Sequence, residues 1–251
     1  MSKKTIKTSK NTKTVKERAT SARQADREVP YSPLETVHVD IKFKNEAQKD
    51  FYRKIENNKI TICAGSPGTG KTLVACAAAL KIMKAHPELY NRIVLVKSVT
   101  SLEGEEVGYL KGTLAEKLEP YVASFVSNFE KLVPKAVVSF MRQHSLIEVQ
   151  PIAFIRGINL DSCIVLVDEC QNVSARNMRT IMTRIGSDCK MVLMGDIEQT
   201  DIKLKSASAL PKIIRMFDGV DEVGVCTFDE SHIVRDPIVK VVEAKFREHF
   251  A

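Results

Sequence analysis

From residue 34 onward, short unbroken apolar runs alternate with longer segments of helical periodicity. KITICA (59–64), RIVLVK (92–97), LIEVQP (146–151), CIVLVDE (163–169), KMVLMGD (190–196) and EVGVCTF (222–228) read as six strands. Helices are predicted at the end of 41–56 and over 71–85, a run rich in Ala, Leu and Lys. Another is predicted over 113–132, with Pro120 marking a break or a new first turn. Two more span 174–186, capped by Gly186, and 236–246. Strands without polar alternation are buried on both faces, and the helices between them supply the cover. The pattern predicts one doubly wound α/β domain with a mostly parallel sheet over residues 34–251. Ligands of such sheets bind at the carboxyl ends of the strands.

Residues 1–33 break the pattern. They are rich in Lys, Ser and Thr, poor in large apolar residues, and closed by Pro30 and Pro33. Such a segment cannot bury enough surface to order itself, so a disordered basic tail is expected. Residues 1–28 carry nine basic and three acidic side chains, which is six of the chain's seven net positive charges. Two readings of the tail stay open: a solvated extension, and a weak electrostatic tether for nucleic acid. The rest of the chain is nearly neutral, so a basic groove there must come from local arrangement.

Composition narrows the classes. At 251 residues, the chain can hold one sizeable core without disulfides or metals. No stretch approaches the ~18–20 uncharged apolar residues of a membrane helix, and the start MSKKTIKTSK lacks the apolar run of a secretory signal. A cytoplasmic protein without a membrane partner is expected. The six cysteines form no CxxC pair and sit in apolar segments, the pattern of buried thiols in a reducing compartment.

Three motifs fall where the predicted strands end. Gly65-Ser66-Pro67-Gly68-Thr69-Gly70-Lys71-Thr72 fits the phosphate-loop pattern GxxxxGK[ST] between a strand and a helix. Its glycines let the backbone wrap phosphate oxygens, and the helix start adds partial positive charge. Lys71 is expected to reach the β- and γ-phosphates and Thr72 to ligate Mg2+. Ile164-Val165-Leu166-Val167-Asp168-Glu169 delivers two carboxylates. Asp168 is expected to hold Mg2+ through water, and Glu169 to orient and deprotonate the attacking water. Adjacent acids favour hydrolysis over transfer to another acceptor. In the third motif, MVLMGDIEQ (191–199), Asp196 and Gln199 lie at the same edge. Gln199 can bond the γ-phosphate or the water; as an alternative, both residues are turn formers. The fold expected is a single RecA-like P-loop NTPase domain.

DECQN (168–172), TRIG (183–186) and GDIEQTD (195–201) resemble the PhoH family of phosphate-starvation-inducible ATPases, relatives of superfamily-one helicases. Gly104-Glu105 with Gly108-Tyr109-Leu110 and Gly112, Pro151 with Arg156-Gly157, and Arg235-Asp236-Pro237 with Val239 are similar to further signatures of that family. The likeness covers roughly residues 40–247. It departs at Cys170, where the family has Ala, and at Asp236, where it has His.

The resemblance implies ATP and ADP as ligands and Mg2+ as metal. It implies that Gln48, near Asn45, reads adenine, with an exposed helix-start residue as the alternative. It implies that Arg235 is aimed at the γ-phosphate, in cis or from a neighbour, with Arg184 as its rival. Lys97, Ser98 and Thr100 match positions that touch nucleic acid in the relatives, or form a solvated loop. The implied function is ATP hydrolysis coupled to single-stranded RNA or DNA in a homo-oligomeric, hexameric ring. The alternative is a nucleotide-dependent regulatory protein with slow hydrolysis and no motor activity. A small-molecule kinase fits less well, because no Arg-rich lid segment is visible. With no tryptophan and 6% aromatic residues, stacking platforms are scarce.

Overall fold

The computed structural model describes residues 33–97, 114–197, 199 and 208–250. The described residues form a six-stranded sheet of order β3-β2-β4-β5-β1-β6. The strands are β1 (Ile60–Gly65), β2 (Arg92–Lys97), β3 (Ile147–Val149), β4 (Cys163–Asp168), β5 (Cys189–Gly195) and β6 (Val223–Phe228), and every pairing is parallel. The helices are α1 (Glu46–Asn57), α2 (Lys71–Ala85), α3 (Leu114–Glu130), α4 (Lys135–Gln143), α5 (Ile152–Ile155), α6 (Ala175–Met182), α7 (Leu210–Phe217) and α8 (Pro237–Phe250).

Side chains alternate along each strand, so the sheet carries two cores. Cys63, Ile93, Leu95, Ile164, Leu166, Val192 and Met194 face the layer built by α1, α2, α3 and α4. Ile62, Ala64, Val94, Val96, Val165, Val167 and Leu193 face the opposite layer with α6 and α7. This is why the strands read as unbroken apolar runs. Helix α2 is enclosed on all sides: Ala75, Cys76, Ala77, Ala78, Ala79 and Leu80 are fully buried. Its small side chains let it approach α1, α3 and the sheet together.

Polar anchors close the ends. Asn45 caps α1 by accepting from the Gln48 amide. At the other end of α1, Lys190 Nζ donates to the carbonyls of Ile55, Glu56 and Asn58 at 3.1, 2.8 and 3.0 Å. All six cysteines are buried, as their apolar surroundings suggested. Among the described residues no helix is long and apolar enough to cross a membrane.

The sequence pattern errs mainly at element ends. α3 runs unbroken through Pro120, held by Val122, Phe125 and Phe129 in the core, instead of breaking there. α6 ends at Met182, and Gly186 does not cap it. The Gly186 amide instead donates to the Leu160 carbonyl at 3.0 Å, and the missing side chain makes room for Asp161. β3 is an edge strand of three residues, shorter than 146–151, and the last helix extends to Phe250. The pattern did not foresee α4, α5 or α7. The tail expectation for residues 1–33 falls, except for Pro33, outside the described residues.

Because α2 has no room on any side, Ala77→Leu should overpack the core and cost about 1–3 kcal/mol. Urea unfolding should show a lower midpoint with an unchanged m-value. A parental midpoint would mean that α2 is not tightly enclosed.

Candidate active site

β5 lies between β1 and β4, so the loops after those two strands flank its end. Gly65, Asp168 and Gly195 therefore meet at one edge, with Phe228 of β6 beside Gly65. The loop after β1 is walled by three distant segments. A Cβ on Gly65 would lie 2.5 Å from Phe228 Cβ and 2.6 Å from the Phe228 carbonyl oxygen. Gly68 adopts φ +78°, its carbonyl accepts from the Val234 amide at 3.0 Å, and the Arg235 side chain lies against it. Gly70 adopts φ +85°, and a Cβ there would meet Gln48 Nε2 at 2.7 Å. Only glycine tolerates such contacts and dihedrals.

Lys71 opens α2 and folds back under the loop. Its ammonium donates to the Gly65 and Ser66 carbonyls at 2.6 and 2.9 Å and approaches Thr69 Oγ1 at 3.4 Å. Burial pushes its pKa below the ordinary lysine value, while Cys63, Asp196, Asp168 and Glu169 pull it back up. The buried Thr69 hydroxyl donates to the Ser66 carbonyl at 2.9 Å, fixing the turn.

From β4, Asp168 Oδ2 accepts from Thr72 Oγ1 at 3.3 Å. Glu169 sits in the left-handed region at φ 55°, a costly conformation for a residue with a side chain. Its amide donates to Asp168 Oδ1 at 3.0 Å. Gln171 Nε2 donates to Glu169 Oε2 at 2.6 Å, and Gln171 Oε1 accepts from the Asp196 amide at 2.9 Å. This buried carboxamide links the ends of β4 and β5. Gly195 is required beside it, since a Cβ there would lie 2.6 Å from Gln171 Oε1. Cys170 occupies a fully buried position, and burial raises its thiol pKa, keeping it protonated.

A cavity of about 360 Å3 brings together Pro67, Gly68, Gly70, Lys71, Thr72, Asp168, Glu169, Asp196, Gln199 and Arg235. Asn128, in the last turn of α3, and Lys131, just beyond it, also line the cavity; no motif pointed to them. Gln171 was within DECQN but had no assigned task. Gln48 lies behind the loop, with Nε2 donating to the Thr69 carbonyl at 2.9 Å and Oε1 accepting from the Lys44 amide at 2.8 Å. Arg184 lies at the opposite, amino edge of the sheet, where its carbonyl accepts from the Leu160 amide. Asp236 caps α8, accepting from the Ile238 amide at 3.0 Å. Lys97 ends β2 in register with Asp168, while Ser98, Thr100 and Gly104–Gly112 lie outside the described residues. Chemically, the loop and ammonium can hold a polyphosphate, the Thr72–Asp168 oxygens suit a hard divalent cation, and Glu169 can accept a proton from water.

The family model described as PhoH-like protein matches residues 40–247. The PhoH-like protein of Bacillus subtilis is 30% identical over 206 residues, covering 81% of this chain and 63% of that protein. Protein PhoH of Escherichia coli K12 is 30% identical over 200 residues, covering 78% and 55%. The chain thus spans about six-tenths of the length of these relatives. Among solved structures, the large terminase from a thermophilic bacteriophage superposes with a TM-score of 0.51 at 13% identity, covering 84% of this chain and 51% of that one. That likeness is one of fold.

Gln171→Ala should strand the Asp196 amide without its acceptor and cost about 1–3 kcal/mol in urea unfolding. It should also release the Glu169 carboxylate from its carboxamide partner. Parental stability would deny Gln171 its linking role.

Proposed function

The chain belongs to the PhoH-like protein family, and on that premise we propose that it binds ATP with Mg2+ at the carboxyl edge of its sheet and hydrolyses it. Residues 34–251 are the ATPase domain in this reading, with the basic tail outside it. One observation carries the proposal: a single cavity joins the loop cation Lys71, the Thr72–Asp168 oxygen pair, Glu169 and Arg235.

In this reading the loop amides and Lys71 take the β- and γ-phosphates. The ammonium exchanges carbonyl partners for phosphate oxygens, which its partial desolvation favours. Thr72 and Asp168 would hold Mg2+, which would supply positive charge beside the phosphates. Glu169, aimed by Gln171, orients the attacking water and takes its proton. Asp196 and Gln199 line the γ-phosphate end. Arg235 stabilises transition-state charge in cis, a reading supported by its place against Gly68 of its own chain. Gln48 serves as a brace of the loop; reading adenine would require its carboxamide to give up a main-chain partner.

We extend the proposal to coupling with single-stranded RNA or DNA and to assembly as a homo-oligomeric ring of six, as the family resemblance implies. Assembly is supported by α8, where Ile238, Val241, Val242 and Phe246 are exposed at helical spacing. A cytoplasmic setting follows from the same reading.

The test is ATP binding and phosphate release, each with and without single-stranded RNA. Lys71→Ala should abolish ATP binding. The near-isosteric Glu169→Gln should bind ATP normally while hydrolysis falls by about 10²-fold or more. Undiminished binding in the first variant, or parental turnover in the second, would overturn the proposal.

A further inference from the structure

Phe154 stands out on the surface. It is 54% exposed on α5, although the next residue, Ile155, is fully buried and fixes the short helix to the core. Ile158, 40% exposed, lies just beyond it, and Gly157 between them has open space around it. The segment is tied to α6 by Arg156, whose Nη2 donates to Asn177 Oδ1 at 2.9 Å. On α6, Arg176 and Arg179 are exposed and one turn apart, so both point along one face.

The charge here is one-sided. Residues 150–160 and 173–183 carry Arg156, Arg176 and Arg179 and no acidic residue, and Asp161, which follows the first segment, accepts from the Ser187 amide at the amino edge of the sheet. The patch also has a functional address. α5 follows β3, whose exit is bonded to β2 through the Gln150 amide and the Leu95 carbonyl at 2.9 Å. α6 begins shortly after the Asp168–Gln171 segment, so the patch and the candidate catalytic acid are joined by a short stretch of chain.

We infer that this surface binds single-stranded nucleic acid, with Phe154 stacking on an unpaired base and Arg156, Arg176 and Arg179 contacting phosphates. An exposed aromatic ring amid arginines, with no acid in either segment, matches the recognition chemistry of a single strand. A duplex hides its base faces and has no use for the ring. An acidic protein surface would use the arginines but gain no base stacking from Phe154. The inference deepens the proposed coupling to nucleic acid and rests on that reading.

The experiment uses the full chain, with fluorescein-labelled oligo(U) and oligo(dT) in anisotropy titrations across a salt series. A fluorescent ATP analogue is titrated in parallel. Phe154→Ala should weaken oligonucleotide binding by about tenfold or more, and Phe154→Tyr should restore it. The double variant Arg156→Ala/Arg176→Ala should flatten the dependence of log affinity on log salt by roughly 0.7 for each phosphate that is no longer neutralised. ATP-analogue binding should be unchanged in all three. Comparison of oligo(U) with oligo(dT) identifies which sugar is preferred. Parental affinity in Phe154→Ala would overturn the inference, as would a parent chain that binds neither oligonucleotide. Competition by poly-glutamate that is equally strong and insensitive to Phe154 would assign the surface to an acidic protein partner and also overturn it. Failure of the ATP-analogue arm in the parent chain would count against the ATPase reading, while the oligonucleotide arms still decide this one.

Discussion

The structure depends on how closely other parts of the chain approach the backbone of residues 65–70. Phe228 presses on Gly65, Val234 bonds Gly68, and Gln48 sits against Gly70. These contacts come from the end of β6, the segment before α8, and the start of α1. They explain why β6 must lie beside β1, and why α1 packs against both α2 and β6. The loop's own side chains bond its carbonyls, through Thr69 and Lys71, and much of its shape is set from outside.

The charges follow the same logic. Lys71 is largely withdrawn from water, which lowers its pKa, and the loop carbonyls and nearby carboxylates oppose that shift. Glu169 is held twice, by a strained backbone and by Gln171, which also fixes the start of the segment after β5. Buried polar groups of this kind must be fully satisfied, since each broken link leaves a desolvated partner behind. In the proposed reading the site is preorganised, with its cation and candidate base positioned before a nucleotide arrives.

Much of this was legible in the sequence. Strands buried on both faces leave unbroken apolar runs, and the phosphate-loop spacing foretells a tight glycine-lined loop between a strand and a helix, which the structure has. The two carboxylates of β4 gained meaning from that loop. What was not legible depended on tertiary contact. Gln48 resembles a base reader in sequence, yet both ends of its carboxamide are bonded to main chain. Gly186 has the composition of a helix cap, but its place is set by Asp161 and Leu160. Pro120 looked like a break because local propensity says nothing of the core beneath α3. Composition made aromatic platforms look scarce; that the Phe154 ring is exposed close to Arg156 depends on how α5 is anchored.

In the proposed reading the site is complete within one chain, because Arg235 lies against the loop that its own chain supplies. Mixing Lys71→Ala subunits with Arg235→Ala subunits tests this directly, with native mass confirming that subunits exchange. Removing a transition-state arginine costs about 10³-fold or more in related enzymes, so even a small rescued fraction would be visible. ATP hydrolysis is predicted to stay at background in every exchanged mixture. Recovery of hydrolysis on mixing would show that Arg235 serves a neighbouring subunit, and would contradict a site completed within one chain.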